Sequence, residues 1–133
     1  MTPMRRANCL FAVLMLLLSF GCSADEPLRV TDIQLGRSLN VDNSIASHAT
    51  LFSRGDTVYA SVLTAGTGEG TLSARWLFGG QTASEATKDV SYREPRATEF
   101  RIQNALGFPP GDYAVEISLN GEAAGRREFR VQK

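Results

Sequence analysis

The sequence predicts an all-β fold, a single antiparallel β-sandwich of about seven strands over residues 28–133. Three observations carry this. Alternation with period two recurs along the chain, while no window sustains a helical period. Turn residues punctuate the runs at intervals of about 8–12 residues, the spacing of short strands in two packed sheets. Each run has one apolar and one polar face, as expected of antiparallel sheets with one side in solvent.

Taken in order, the first strand runs around Arg29–Leu35, where Val30 and Ile33 are out of phase and imply a bulge. Asn40–Ala49 reads as a loop or irregular edge. Thr57–Leu63 places Val58, Ala60 and Val62 opposite Thr57, Tyr59 and Ser61. Gly66–Gly70, GTGEG, reads as the loop before Thr71–Phe78, in which Leu72, Ala74, Trp76 and Phe78 alternate with polar neighbours. Lys88–Tyr92 is a short strand, and Thr98–Ile102 points Phe100 and Ile102 inward. Pro109-Pro110-Gly111-Asp112 is a turn that delivers Tyr113–Leu119, with Tyr113, Val115, Ile117 and Leu119 on one face. Asn120-Gly121 is the strongest short hairpin signal because both residues tolerate positive φ. Phe129 and Val131 close the last strand against Glu128 and Arg130.

Trp76 in mid-strand, and Pro110-Gly111-Asp112-Tyr113 followed by Val115, resemble the core tryptophan and tyrosine corner of immunoglobulin-like domains. The disulfide of antibody domains is absent. The resemblance places Val62 and Val115 at its two positions, packed with Trp76. It is a likeness of fold, which by itself carries no function.

The first residues have a different organisation. Arg5 and Arg6 are followed by the apolar run Leu10–Phe20, LFAVLMLLLSF, and then by small residues around Gly21 and Cys22. This is a secretory signal pattern. Eleven residues at about 1.5 Å each cover about 16 Å, half of the ~30 Å needed to span a bilayer. Cys9 falls inside this segment, which leaves Cys22 without an intramolecular partner in a mature chain. Gly21 directly before Cys22 resembles the signal of bacterial lipoproteins, although Ser19 stands where leucine is commonest. The resemblance implies removal of residues 1–21, lipidation of Cys22 (diacylglycerol on sulfur, palmitate-type acylation of the new amine) and a short tether over residues 22–27. Ser23, where an aspartate would retain such a protein at the inner membrane, implies the outer membrane, with the domain facing the periplasm. Ordinary cleavage after Ala24 remains the alternative and would release a soluble protein.

Composition excludes several classes. Fourteen basic and fourteen acidic residues give zero formal net charge, and loss of Arg5 and Arg6 leaves a slight acidic excess. Neither balance favours nucleic acid. His48 is the single histidine, so a multi-histidine metal site is excluded and a Ser/His/Asp triad depends on one exposed loop residue. Asn40, Asp42 and Ser44 have the alternate spacing of a calcium loop but lack its glycine and glutamate. Gly66, Gly68 and Gly70 lead into a strand, with neither helix nor lysine to cradle phosphate. No cofactor is implied and no enzyme is expected. The candidate binding residues are Arg126, Arg127 and Arg130 on a charged last strand, and Tyr59 and Tyr92 as outward aromatic anchors. The expectation is a lipid-anchored, non-catalytic envelope module that binds a protein or envelope component near the membrane. A soluble sugar- or peptide-binding module is the alternative.

Overall fold

A computed structural model describes residues 26–133; Cys22 and the signal segment lie outside the described residues. The chain forms β1 (Arg29–Leu39), β2 (Ile45–His48), β3 (Leu51–Phe52), β4 (Val58–Ala65), β5 (Gly68–Phe78), β6 (Gln81–Tyr92), β7 (Arg96–Ile102), β8 (Gly111–Leu119) and β9 (Glu122–Val131). A four-stranded sheet, ordered β2-β1-β4-β7, packs on a five-stranded sheet, ordered β3-β9-β8-β5-β6. The all-β sandwich holds, with nine strands in place of about seven. The additional ones are the four-residue β2 and the two-residue β3, too short to leave a periodic signal.

Inward alternation builds one core. Val58, Ala60 and Val62 face it from β4, Leu72, Ala74 and Trp76 from β5, and Val115 and Ile117 from β8. Val62, Trp76 and Val115 are each at most 1% exposed, and Trp76 lies directly across from Val115. The tyrosine corner is closed: the Tyr113 hydroxyl donates to the Pro109 carbonyl at 2.6 Å. Asn120 and Gly121 take φ of 53° and 84°, as the hairpin turn requires. The bulge in β1 is also present. Register passes from Val30 against Thr64 to Asp32 against Leu63, so Thr31 is the extra residue and Val30 and Ile33 both face the core.

Several sequence expectations are corrected. Gly68–Gly70 belongs to β5 and pairs with Val90–Tyr92, so the β4–β5 connection shrinks to Gly66 and Thr67. β6 begins at Gln81, seven residues before the expected start at Lys88. Alternation in β5 holds through Trp76, beyond which a register shift against β6 leaves Leu77 buried and Phe78 37% exposed. One strand pair, β3 with β9, is parallel. Glu26 and Pro27, expected in the tether, are already docked: Thr67 N–H donates to the Glu26 carbonyl at 2.8 Å and Pro27 bridges to Thr67.

β1 and β2 form a hairpin that folds over the outer face of the four-stranded sheet. A Cβ at Gly36 would collide with the Ser47 carbonyl and the Ile45 side chain, so only glycine admits β2 there. The hairpin tip, Asn40–Ser44, then reaches Ser61, whose hydroxyl donates to the Asn43 carbonyl at 2.7 Å. Ser61 faces away from the core yet is fully covered.

Candidate functional site

β9 carries Arg126, Arg127 and Arg130, and each is already paired. Arg126 meets Glu116 at 2.8 Å and Glu128 at 3.7 Å, and Arg130 meets Asp112 at 3.1 Å. Arg127 shares the inward parity of Phe129 but sits at the open side of the sandwich. There its Nε donates to the Ile33 carbonyl at 2.9 Å and its guanidinium meets Asp32 at 3.0 Å, joining the two sheets. A Gln34 amide hydrogen bond, with Ile33 N–H and Arg127 adding to it against the cost of burial, holds the Asp32 carboxyl below its usual range. These arginines therefore brace the last strand against β8 and β1.

The two tyrosines are not brought together. Tyr59 lies on the outer face of β4, half-buried under the Arg101 guanidinium, 5.2 Å from its ring centre. Tyr92 ends β6, where its hydroxyl shares a 2.7 Å hydrogen bond with Thr98 of β7 and Arg96 lies 6.0 Å from its ring centre. His48 is exposed at the end of β2. Asp42 accepts from the Ser44 N–H at 3.0 Å and also from its hydroxyl, so the Asn40–Ser44 segment is a self-satisfied turn. Among the described residues, no three His, Cys, Asp or Glu side chains are grouped to hold a metal ion.

The flank formed by β6 and β7 is more distinctive than any predicted site residue. Lys88 reaches from β6 to β7, where its amine donates to the Glu99 carbonyl at 2.6 Å and carboxylate at 2.7 Å; Arg101 meets the same carboxylate at 3.0 Å. Burial alone would raise the Glu99 carboxyl, but the Lys88 and Arg101 hydrogen bonds and charges outweigh it and hold the group below its usual range. Beyond Lys88 the sheets part. Gln81–Asp89 is exposed at nine consecutive positions. The end of this opening is a crevice of about 520 Å³ between Phe78, Ser84, Ile102, Phe108, Pro109 and Tyr113. Phe78 is stacked on Tyr113 there at 4.6 Å between ring centres. Sequence reasoning missed this flank because QTASEAT, residues 81–87, consists mainly of small polar residues without an apolar period. The Gly79-Gly80 pair before it was the available turn signal.

No protein-family model matches the chain, and no curated protein matches it. Solved structures do share its fold. An immunoglobulin-like protein from Pseudomonas aeruginosa superposes with a TM-score of 0.58 and 14% identity, over 83% of this chain and 100% of that one. The Pseudomonas fluorescens alkylpurine DNA glycosylase, solved with DNA containing an abasic site analogue, gives 0.55 and 11% over 81% of this chain. The Listeria innocua β-glucosidase, in complex with isofagomine, gives 0.54 and 14% over 86% of this chain. The chain spans 31% of the glycosylase and 17% of the glucosidase, so the likeness concerns one domain of each. At these identities the similarity is one of immunoglobulin-like fold.

Proposed function

We propose that this chain is a lipid-anchored, non-catalytic immunoglobulin-like module that acts by binding a protein or envelope component close to a membrane. The placement is the periplasmic side of the bacterial outer membrane. The observation that carries the reading is the docking of Glu26 and Pro27 on the β4–β5 turn. Four residue steps separate Cys22 from Glu26, and at about 3.5 Å each they reach at most about 14 Å. A lipid on Cys22 would thus hold the domain against the bilayer surface, within reach of partners there and of few elsewhere. Two or more acyl chains suffice for durable anchoring where one does not.

The binding role is supported by how the charges are used. Among the described residues, the ion pairs of β9 and of Lys88 bridge strands instead of converging on a cleft, which favours contact over catalysis.

Growth with labelled palmitate tests the anchor. The label is expected on the wild-type chain and in the membrane fraction, and Cys22→Ala is expected to abolish both. An unlabelled chain beginning at Asp25 in the soluble fraction would overturn it in favour of a released module.

A further inference from the structure

The two sheets have four edges, and three are short or partly covered. β2 has four residues and β3 has two. β7 has seven residues and is partly covered from β6, by Lys88 on the Glu99 carbonyl and by Tyr92 on the Thr98 hydroxyl. The fourth edge, β6, pairs with β5 alone and contains no proline, and past a bulge at Ala83 it runs regularly for nine residues, Ser84–Tyr92. Its outer main-chain groups are therefore a row of unpaired donors and acceptors, the feature that natural edge strands usually suppress.

Side chains on this strand say what could pair with it. In register with β5, Glu85 lies across from Arg75 and Asp89 across from Thr71, so both carboxylates stand on the outer face. Asp89 accepts a hydrogen bond from the Thr71 hydroxyl at 2.8 Å. Among the described residues, neither carboxylate forms an ion pair, whereas Glu99 and Glu116 nearby do. The single base of the strand, Lys88, stands on the opposite face and is held by Glu99.

A second copy of the chain does not fit. In a two-fold antiparallel pair, opposed side chains share a face. Residues of equal parity must then meet, and Glu85 and Asp89 would face the same carboxylates of the partner, directly or on the diagonal. Like charges so placed oppose pairing. An extended strand with basic residues at alternate positions meets the same carboxylates favourably. Its other face would turn small or apolar side chains toward the crevice beside Phe78 and Ile102.

We propose that the free edge of β6 is a strand-addition site for an extended peptide segment carrying Lys or Arg at every second residue. This deepens the reading of the chain as a binding module, and it is independent of lipidation at Cys22. Main-chain hydrogen bonds would give affinity, and Glu85 and Asp89 would give the preference for charge.

The test uses the full-length gene product, purified in detergent, and fluorescence anisotropy with a labelled decapeptide of alternating Val and Lys. The same peptide is made with N-methyl groups on every second residue, in each of the two phases, and a Val/Glu decapeptide is the control. Binding of the Lys peptide is expected, weakened at least tenfold by N-methylation in one phase and retained in the other. The double variant Glu85→Lys, Asp89→Lys is expected to transfer the preference to the Val/Glu peptide, which also shows that the variant is folded. Loss of the phase dependence, an unchanged preference in the double variant, or no binding of the Lys peptide would overturn the proposal. So would a peptide-free dimer dispersed by the double variant, which would place a second copy at the edge. Each result reads the same whether or not palmitate labelling finds the anchor.

Discussion

Tyr113 concentrates the local logic of the fold. Its ring stacks on Phe129 at 5.3 Å and on Phe78 at 4.6 Å, and its hydroxyl closes on the Pro109 carbonyl. Burial raises the phenol above its ordinary pKa, with Arg54 acting in the opposite direction, so the hydroxyl remains a donor throughout the physiological range. Tyr113→Phe keeps the ring and removes the donor. It is expected to lower unfolding free energy by about 1 kcal/mol, the net contribution of one such hydrogen bond. Urea denaturation should show a lower midpoint with an unchanged slope. An unmoved midpoint would mean that water satisfies the Pro109 carbonyl as well as the phenol does. This residue was legible in the sequence because Pro-Gly-Asp-Tyr joins a turn to a strand in four letters. Gly36 was not, since nothing in QLGRS shows that β2 will lie across its Cα.

Among the elements, β6 and β7 are coupled through one carboxylate. Glu99 is 14% exposed and holds Lys88 from the neighbouring sheet. Since its folded pKa is depressed, its contribution is fully present above its unfolded value, about 4.3, and is lost as pH falls through the lower folded value. Acid titration of stability should therefore show a wild-type loss below about pH 4.3 that is smaller in Glu99→Gln. At neutral pH the variant is expected to be less stable by on the order of 1 kcal/mol, limited because both cationic partners are largely solvated. Superimposable acid profiles would dissociate the clamp from stability. The elements read best from sequence were those whose alternation is imposed by a shared core, β4, β7 and β8. The out-of-phase Val30 and Ile33 even disclosed the bulge in β1. The first seven residues of β6, Gln81–Thr87, escaped notice because they bury nothing, and a strand that buries nothing has no reason to alternate.

At the scale of the whole molecule, the proposed anchor would make the two ends of the sandwich face different surroundings. Glu26, the Gly66-Thr67 turn and the Asn120-Gly121 hairpin share one end, since β5 begins there at Gly68 beside Leu28 and Thr71 bonds Asn120. β5 then runs eleven residues to Phe78, and at about 3.3 Å per residue the far end stands roughly 30 Å away. Leu106, 91% exposed, lies at that far end beside the Arg54–Phe108 contact. The sequence showed the anchor pattern and the hairpin separately, but that Glu26, four residues after Cys22, lies at the hairpin end follows from topology, which no local pattern encodes. Spin labels on Glu122→Cys and Leu106→Cys, each in a chain whose Cys22 is already lipidated and reconstituted in vesicles, should be told apart by a headgroup-bound relaxation agent. The label at 122 is expected to relax strongly and the label at 106 weakly. Ten Gly/Ser residues inserted after Asp25 would add, as a flexible coil, a root-mean-square reach of about 17 Å and should weaken relaxation at 122 while leaving 106 little changed. Equal relaxation at both sites would mean that the domain lies on its side, with β6 or β9 against the lipid in place of the hairpin end.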